Sequence, residues 1–422
     1  MVIPSDLLNG KKVLLGVTGS IAIYKSLELV RLLTKAGADV KVVMSEAAKK
    51  FITPLTFETL STNKVLDEKS ESWSDDHNHI KTTQWADIFV IAPCSANTIA
   101  KLANAIADNM LLQCALAFSG KKIIAPSANT NMLSHPITQA NLKMLAIANY
   151  EVISTQTKEL ACKTVGDGAM AEPIEIFWHI ARELLKETFW EDRRVIVTGG
   201  GTLEKIDDVR YISNFSSGKM ASALATALFC KGADVNLIAT RFDTELPKSM
   251  HKIDVSSSEE MQEFVTDSVR IAKKGKLSKP SLITDKPIEL IQKEPYLFMA
   301  AAVSDYIPAF AQNGKLKKEM LGSSWNLELK QNVDILKSID KDGIKVVGFK
   351  AEMDAANAKE NAASLITNKG VDAVCLNLLS NEKSFGTDDN EIEFITKKDS
   401  VTLPRADKLS LSFLILENAK EL

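Results

Sequence analysis

The apolar positions of the chain predict two copies of a strand–helix–strand unit. In the first copy, an apolar strand over residues 11–17 leads into a helix with apolar residues at helical spacing. Gly37 ends that helix before a strand to Met44. In the second copy, a strand from Arg194 leads to a helix from about Lys219 and then a strand to Ala239. Continuous apolar strands between helices are typical of parallel sheets, so each half is predicted to be an α/β domain.

Further apolar runs at helical intervals extend both predicted sheets. They cover residues 87–92, 122–125, 151–154, 296–302, 345–349 and 372–376, and an antiparallel hairpin is expected over 391–403 before a final helix. A short charged stretch at 188–193 separates a helix over 174–186 from the second unit. We therefore predict two Rossmann-like domains, residues 1–190 and 191–422, with residues 272–295 as an excursion from the core.

Composition excludes several classes of protein. The net charge of −3 gives no strong field toward nucleic acid or an anionic membrane. The 5 cysteines are scattered without a C-x-x-C pair, which argues against a disulfide framework or a zinc site. We see no signal peptide and no apolar run of membrane-spanning length, so we expect a cytoplasmic protein.

The ends of the strands in the first half carry polar residues suited to a nucleotide. The turn Gly16-Val-Thr-Gly-Ser20 opens toward a helix, where backbone N–H groups can hold a phosphate. The turn is not G-x-G-x-x-G, and no acid follows Met44 to bind an adenosine ribose, which favours a mononucleotide. The alternative is a glycine turn required only for packing. The candidate cofactor-binding residues are Gly19, Ser20, Ser45, Ser95, Asn97 and Thr98.

Three motifs in residues 10–185 resemble the homo-oligomeric flavin-containing cysteine decarboxylases, in particular those acting on 4′-phosphopantothenoylcysteine. The motifs are His79-Ile80, Pro126-Ser-Ala-Asn129-Thr-Asn-Met132 and Cys162 in a glycine-rich segment. Ser127 and Ala128 depart from the family's Ala and Met.

The resemblance implies FMN as the cofactor and a role for each motif. The family oxidises the substrate thiol, so that the carbanion left by CO₂ delocalises onto sulfur. His79 is then expected to act as a base or electrostatic partner, Asn129 to hold the substrate carboxylate and Cys162 to supply a proton. The remaining cysteines, Cys94, Cys114, Cys230 and Cys375, are expected to be packing residues.

The second half has a long polar loop between its glycine run and its first helix. Gly199-Gly-Gly-Thr202 is followed by Val209-Arg-Tyr-Ile-Ser-Asn214-Phe-Ser-Ser-Gly218, and such a length is unusual for a β–α connection. Ser216, Ser217 and Gly218 can cap the helix and direct its N-terminus at an anion. The alternative is a capped helix after an ordinary surface loop.

Together with three later segments, this loop resembles phosphopantothenate–cysteine ligase over about residues 194–410. The segments are Ala300-Ala-Ala-Val-Ser-Asp305-Tyr, Lys315-Leu-Lys317-Lys318 and Val347-Gly-Phe349. The order decarboxylase-then-ligase is that of a bacterial fused enzyme. Departures are Leu203 and Asp208, where the family often has Arg and Pro, and Lys350 in place of a small residue.

The resemblance implies that CTP activates the carboxylate of phosphopantothenate as an acyl-cytidylate, which the amine of cysteine then attacks. It assigns CTP binding to Gly200, Gly201, Ser216, Ser217, Gly218, Asp305, Lys315, Lys317 and Phe349. Asn214 is expected at the acyl-phosphate, and Lys317 is expected to stabilise negative charge. Mg²⁺ is expected with the CTP phosphates, with its protein ligands unassigned. The family also implies a trimeric decarboxylase and a dimeric ligase, hence a larger assembly such as a dodecamer.

Two other classes of function compete with this interpretation. A pyridine-nucleotide oxidoreductase could contain two nucleotide folds, but it would require the fingerprint and ribose-binding acid that this chain lacks. A regulatory binding subunit related to the decarboxylase would not need His79, Asn129 and Cys162, all of which are present.

Overall fold

A computed structural model describes residues 1–159, 165–278, 287–317, 322–354, 356–378 and 386–422. These residues form two compact units. One contains Ser5–Leu185 with the described ends of Ser278–Glu289, and the other contains Met1–Pro4, Lys186–Leu277 and Leu290–Leu422. No helix in the described residues is long and apolar enough to cross a membrane.

Five parallel strands form the central sheet of the first unit, in the order β2-β1-β3-β4-β5. This is the flavodoxin-like strand order, so the predicted fold class is confirmed. The strands are β1 Lys12–Val17, β2 Asp39–Met44, β3 Ile88–Cys94, β4 Lys122–Pro126 and β5 Tyr150–Val152, and β6 Gln156–Glu159 pairs with β7 Val165–Ala169 in a separate antiparallel hairpin. The helices are α1 Ile23–Lys35, α2 Pro54–Ser61, α3 His79–Trp85, α4 Ala96–Ala103, α5 Met110–Ala117, α6 Thr130–Ser134, α7 Pro136–Ile147 and α8 Pro173–Leu185.

The large sheet of the second unit has the doubly wound order, and two further strands are added at one edge by antiparallel pairing. Its strands are β8 Arg194–Gly199, β11 Asp234–Ala239, β12 His251–Asp254, β15 Tyr296–Met299, β18 Lys345–Glu352, β19 Ala373–Leu378, β20 Asp389–Thr396 and β21 Ser400–Asp407. Their spatial order is β12-β11-β8-β15-β18-β19-β20-β21, which places the first strand of the unit third, as in a Rossmann sheet.

Short hairpins and helices complete the second unit. The hairpin strands are β9 Glu204–Lys205, β10 Tyr211–Ile212, β13 Lys276–Leu277, β14 Leu290–Ile291, β16 Tyr306–Pro308 and β17 Leu329–Gln331. The helices are α9 Lys219–Cys230, α10 Ser258–Ala272, α11 Ile335–Ser338, α12 Ala358–Lys369 and α13 Lys408–Ala419. Strand β12, helix α10 and these hairpins were not anticipated from the sequence. The strands are only two to four residues long, whereas α10 did offer a signal in its Ser257 N-cap and in Met261, Val265 and Val269 at helical spacing.

The segment that follows α8 belongs to the second unit. Trp190 is fully buried, and its ring lies 5.0 Å from that of Tyr296 in β15. The guanidinium of Arg193 lies 4.1 Å from the ring centre of Phe189. The stretch that looked like a charged linker therefore anchors its aromatic residues in the second core, and the division between units falls at Leu185–Lys186.

Candidate functional sites

A cavity of about 770 Å³ lies at the carboxyl ends of the strands in the first unit. Its lining includes Gly19, Ser20, Ser45, Ser95, Asn97 and Thr98, which are the six residues predicted for the cofactor. The structure therefore brings together side chains from the ends of β1, β2 and β3.

Hydrogen bonds between loop residues hold the rim of this cavity. The hydroxyl of Thr18 donates to the carbonyl of Pro93 at 2.7 Å and accepts from the backbone N–H of Ser95 at 3.0 Å. Ser95 in turn caps α4 by accepting from the N–H of Thr98 at 3.3 Å. The turn after β1 and the start of α4 are thus fixed relative to each other.

The turn after β1 fits a phosphate group. A Cβ on Gly19 would lie 2.7 Å from the Cβ of Ala47, so only glycine allows the turn to approach the loop after β2. Within the described residues, no hydrogen-bond acceptor contacts the backbone N–H groups of Gly19, Ser20 and Ile21. Backbone N–H groups that converge in this way form an anion-binding concavity.

A second cavity, of about 640 Å³, shares Ser20, Ser127 and Ala128 with the first. Asn129 lies in its lining, and its side-chain oxygen caps α6 by accepting from the N–H of Asn131 at 3.0 Å. Met132 is about half exposed and lines the first cavity. An amide side chain is therefore placed beside the predicted mononucleotide cavity.

His79 lines neither cavity. It is the first residue of α3, its Nδ1 lies 2.9 Å from Oε1 of Glu71, and its ring is edge-on to that of Trp73 at 5.7 Å. Cys162 lies outside the described residues. The strands on either side of it in sequence, β6 and β7, pair with each other.

The predicted packing cysteines are buried: Cys94, Cys114, Cys230 and Cys375. Burial raises the pKa of Cys114 to about 12, and it also raises the pKa of Cys94 and Cys375. These thiols are therefore protonated at neutral pH and poorly suited to chemistry.

The second unit has a cavity of about 210 Å³ at the carboxyl ends of its parallel strands. Ser216, Ser217, Gly218 and Phe349, all predicted for CTP, are in its lining. Gly218 has a φ of +71° as the N-cap of α9, and a Cβ there would lie 2.8 Å from the carbonyl oxygen of Arg241. Glycine at this position is required by both the backbone conformation and the space.

Two lysines that sequence reasoning missed also line this cavity. Lys219 donates to the carbonyl of Gly386 at 2.9 Å and to Oδ1 of Asp388 at 2.6 Å. Lys408 is buried and donates to the carbonyl of Thr387, and burial together with the charge of Lys219 lowers its pKa. The position of Lys219 directly after the S-S-G turn was the available signal, whereas nothing in the sequence marked Lys408.

Gly200 and Gly201 are not in the lining of this cavity. Close packing explains why both residues are glycine. A Cβ on Gly200 would lie 2.1 Å from the hydroxyl of Thr240, and one on Gly201 would lie 2.5 Å from the carbonyl oxygen of Asn214. The space around both residues therefore requires glycine, and their contact with a phosphate stays a prediction.

The remaining ligase candidates also lie outside this lining. Asn214 donates from Nδ2 to the carbonyl of Val303 at 3.0 Å. Asp305, Lys315 and Lys317 are exposed, and Lys318 lies outside the described residues. In the part of the chain that the structure describes, no cluster of three or more His, Cys, Asp or Glu residues could hold a metal ion.

Comparison with known proteins defines the class of both units. The Flavoprotein family matches residues 1–185, and the DNA/pantothenate metabolism flavoprotein C-terminal domain family matches residues 190–274 and 283–422. The chain is 34% identical over 414 residues to the coenzyme A biosynthesis bifunctional protein CoaBC of Haemophilus influenzae, covering 96% of each chain. It is 36% identical over 420 residues to the CoaBC protein of Bacillus subtilis, covering 97% of each chain.

The chain therefore belongs to the family of coenzyme A biosynthesis bifunctional proteins CoaBC. Among solved structures, the C-terminal domain of a CoaBC protein aligns with a TM-score of 0.42 at 26% identity, covering 55% of this chain and 95% of that one.

Proposed function

We propose that this chain catalyses two consecutive steps of coenzyme A synthesis. The second unit couples 4′-phosphopantothenate to cysteine with CTP, and the first unit decarboxylates the product to 4′-phosphopantetheine with FMN. One observation carries the proposal: the cavity lined by the six predicted cofactor residues shares Ser20, Ser127 and Ala128 with the cavity that Asn129 lines. A mononucleotide and a carboxylate substrate can thus be bound side by side.

In the first unit, each residue has a defined task. The N–H groups of Gly19, Ser20 and Ile21 bind the cofactor phosphate, and Asn97 and Thr98 hydrogen-bond its ring. The FMN, when bound, supplies reversible two-electron redox chemistry. Asn129 donates from its amide to the substrate carboxylate, and Cys162 supplies a proton to the substrate.

His79 acts in a homo-oligomer under this proposal. Because His79 lines neither cavity of its own chain, it serves as base or electrostatic partner in the site of a second copy. The contact between its Nδ1 and Glu71 is consistent with this role, since it favours Nε2 as the atom that meets the substrate.

In the second unit, the cavity around Gly218 and Phe349 takes the nucleotide. The CTP phosphates bind at the N-terminus of α9, where they contact Ser216, Ser217 and Lys219. Phe349 contacts the base. Mg²⁺ enters with the phosphates and offsets their charge. Asn214 meets the acyl-phosphate. Asn214, Asp305, Lys315 and Lys317 do not line this cavity within one chain, so these residues act together, from one chain, in completing the site of a second copy in a dimer.

The decisive experiment supplies the purified full-length chain with phosphopantothenate, cysteine, CTP and Mg²⁺. CMP, pyrophosphate, CO₂ and phosphopantetheine should form in equal amounts. Asn129→Ala should stop CO₂ release while CMP formation continues, and Asn131→Ala, which changes a neighbouring exposed asparagine, should leave both unchanged. Absence of CMP from the wild-type reaction would reject the ligase, and absence of CO₂ would reject the decarboxylase.

A further inference from the structure

The turn that joins β9 to β10 contains two consecutive acids and binds a distant segment of the same unit. We call residues 206–210 the acidic turn. The N–H of Ile206 donates to the carbonyl of Arg210 at 2.9 Å and closes the turn. The carbonyl of Ile206 in turn accepts from the N–H of Gln312 at 2.9 Å. The acidic turn therefore lies against residues 312–316, directly before Lys317.

Asp207 is the central residue of this contact. Its side chain is buried, and Oδ1 accepts from the N–H groups of Val209 at 2.9 Å and Arg210 at 2.7 Å. Oδ2 accepts from Nε of Arg210 at 3.1 Å, from its Nη2 at 2.5 Å and from the N–H of Leu316 at 3.1 Å. Arg210 also donates from Nη2 to the carbonyl of Leu316 at 2.9 Å. Leu316, between the two candidate lysines, is thus bound through both of its backbone polar groups.

Asp208 binds the same segment two residues earlier. Its Oδ2 accepts from the N–H of Gly314 at 2.5 Å, and its own N–H donates to the carbonyl of Gly314 at 3.4 Å. A proline, which similar ligases often have here, has neither a carboxylate nor an N–H and could form neither bond. This second attachment therefore depends on the residue that distinguishes this chain from the family pattern.

We propose that Asp207 and Asp208 are positioning residues of the ligase site, and that they fix Lys317 relative to Asn214. Asn214 follows β10 by two residues, so the same hairpin carries Asn214 after one strand and binds the lysine segment at its turn. The inference rests on the proposed role of Lys317. A cation stabilises a developing charge only where it is already in place, and a displacement of about 1 Å can cost on the order of 100-fold in rate.

The first arm of the test measures ligase kinetics in the full-length enzyme. Asp207→Asn should lower the ligase kcat by about 10-fold to 100-fold with a much smaller change in KM for CTP. At position 208, Asp208→Ala should lower kcat less. Asp208→Asn should restore it, because an asparagine oxygen still accepts from the N–H of Gly314. Asp208→Pro should lower kcat more than alanine. Decarboxylation of supplied phosphopantothenoylcysteine should stay at the wild-type rate in all four.

The second arm measures the lysine segment without any reaction. Trypsin cleavage after Lys315 and Lys317, followed by mass spectrometry, should be faster in Asp207→Asn and Asp208→Ala and near wild type in Asp208→Asn. Cleavage elsewhere in the second unit should be unchanged, which separates local release from unfolding.

The two arms distinguish the inference from the proposed function. Unchanged cleavage in both Asp207→Asn and Asp208→Ala would overturn the anchoring, as would faster cleavage with normal ligase kcat. The anchoring would also be overturned if Asp208→Asn lost as much kcat as Asp208→Ala. In that case the hydrogen bond to the N–H of Gly314 would not be what maintains ligase turnover. If Lys317→Gln retains full ligase turnover, the catalytic role of Lys317 fails, while the cleavage rates alone decide whether the acidic turn anchors its segment.

Discussion

The N–H of Ala128 donates to the carbonyl of Gly168 at 3.1 Å, so that β7 lies directly against the segment carrying Asn129. A Cβ on Gly168 would lie 2.1 Å from the carbonyl oxygen of Ala128, and one on Gly166 would lie 2.0 Å from the hydroxyl of Thr130. The two glycines around Asp167 therefore allow the hairpin of β6 and β7 to pack against the Asn129 segment.

Gly168→Ala should displace the hairpin from Asn129. Because the clash is with backbone rather than with a flexible side chain, the substitution should destabilise the first unit by about 1–3 kcal/mol. Decarboxylase activity should fall strongly, and ligase activity in the same preparation serves as the control. A Gly168→Ala enzyme with wild-type CO₂ release would show that the close contact is not needed for the reaction.

The purified chain should contain FMN, and Gly19→Ala should reduce the bound amount. The added methyl group would lie 2.7 Å from the Cβ of Ala47, so the turn that presents the phosphate-binding N–H groups must open. Flavin released by denaturation can be identified by mass spectrometry and compared with protein concentration. Release of FAD, or full FMN content in Gly19→Ala, would contradict the phosphate site.

A protein fragment that begins at Lys186 should be more stable than a fragment that begins at Glu191. The shorter piece lacks Trp190, which is fully buried beside Tyr296, and loss of a large buried aromatic side chain costs about 3–5 kcal/mol. Urea titrations of both pieces would measure the difference, and the longer piece should retain ligase activity. Equal unfolding midpoints would mean that Trp190 is not part of the independent core.

Stability of the first unit should depend on pH through His179. Burial opposes the charged ring, but hydrogen bonds and charge from Glu151 and Glu175 outweigh it and raise the pKa of His179 to about 9. Because this pKa lies above the unpaired value of 6.5, the stabilisation is complete below about pH 6.5 and is lost as pH rises through about 9. The difference in urea midpoint between wild type and His179→Gln should shrink over that interval. A constant difference would mean that protonation of His179 is not involved.

Lys317→Gln tests the proposed catalytic cation of the second unit. Glutamine keeps much of the length and loses the charge, so CTP should still bind while formation of phosphopantothenoylcysteine falls by about 100-fold or more. Decarboxylation of supplied phosphopantothenoylcysteine should continue. Lys330→Gln, which removes an exposed lysine from β17, is the matched control. Near-normal ligase turnover in Lys317→Gln would leave the catalytic cation unidentified.

The sequence alone was sufficient to predict the two α/β units and to predict that six candidate cofactor residues lie together. Strands β1, β3, β8 and β15 are buried almost along their whole length, so they appear as continuous apolar runs that can be read without knowing their partners. Polar residues that directly follow such strands must meet at one edge of a parallel sheet. This explains why all six predicted cofactor residues line one cavity.

Only the tertiary structure shows the features that depend on contacts between residues far apart in the chain. It placed His79 outside both cavities of the first unit, showed that Gly200 and Gly201 lie close against neighbouring residues, and added Lys408 to the lining of the second unit's cavity. It also joined Asp207 to Leu316, 109 positions away, through a hairpin turn that contains no apolar run. A short polar turn has no periodic signal of its own. Its role comes from hydrogen-bond partners that only the folded chain brings within reach.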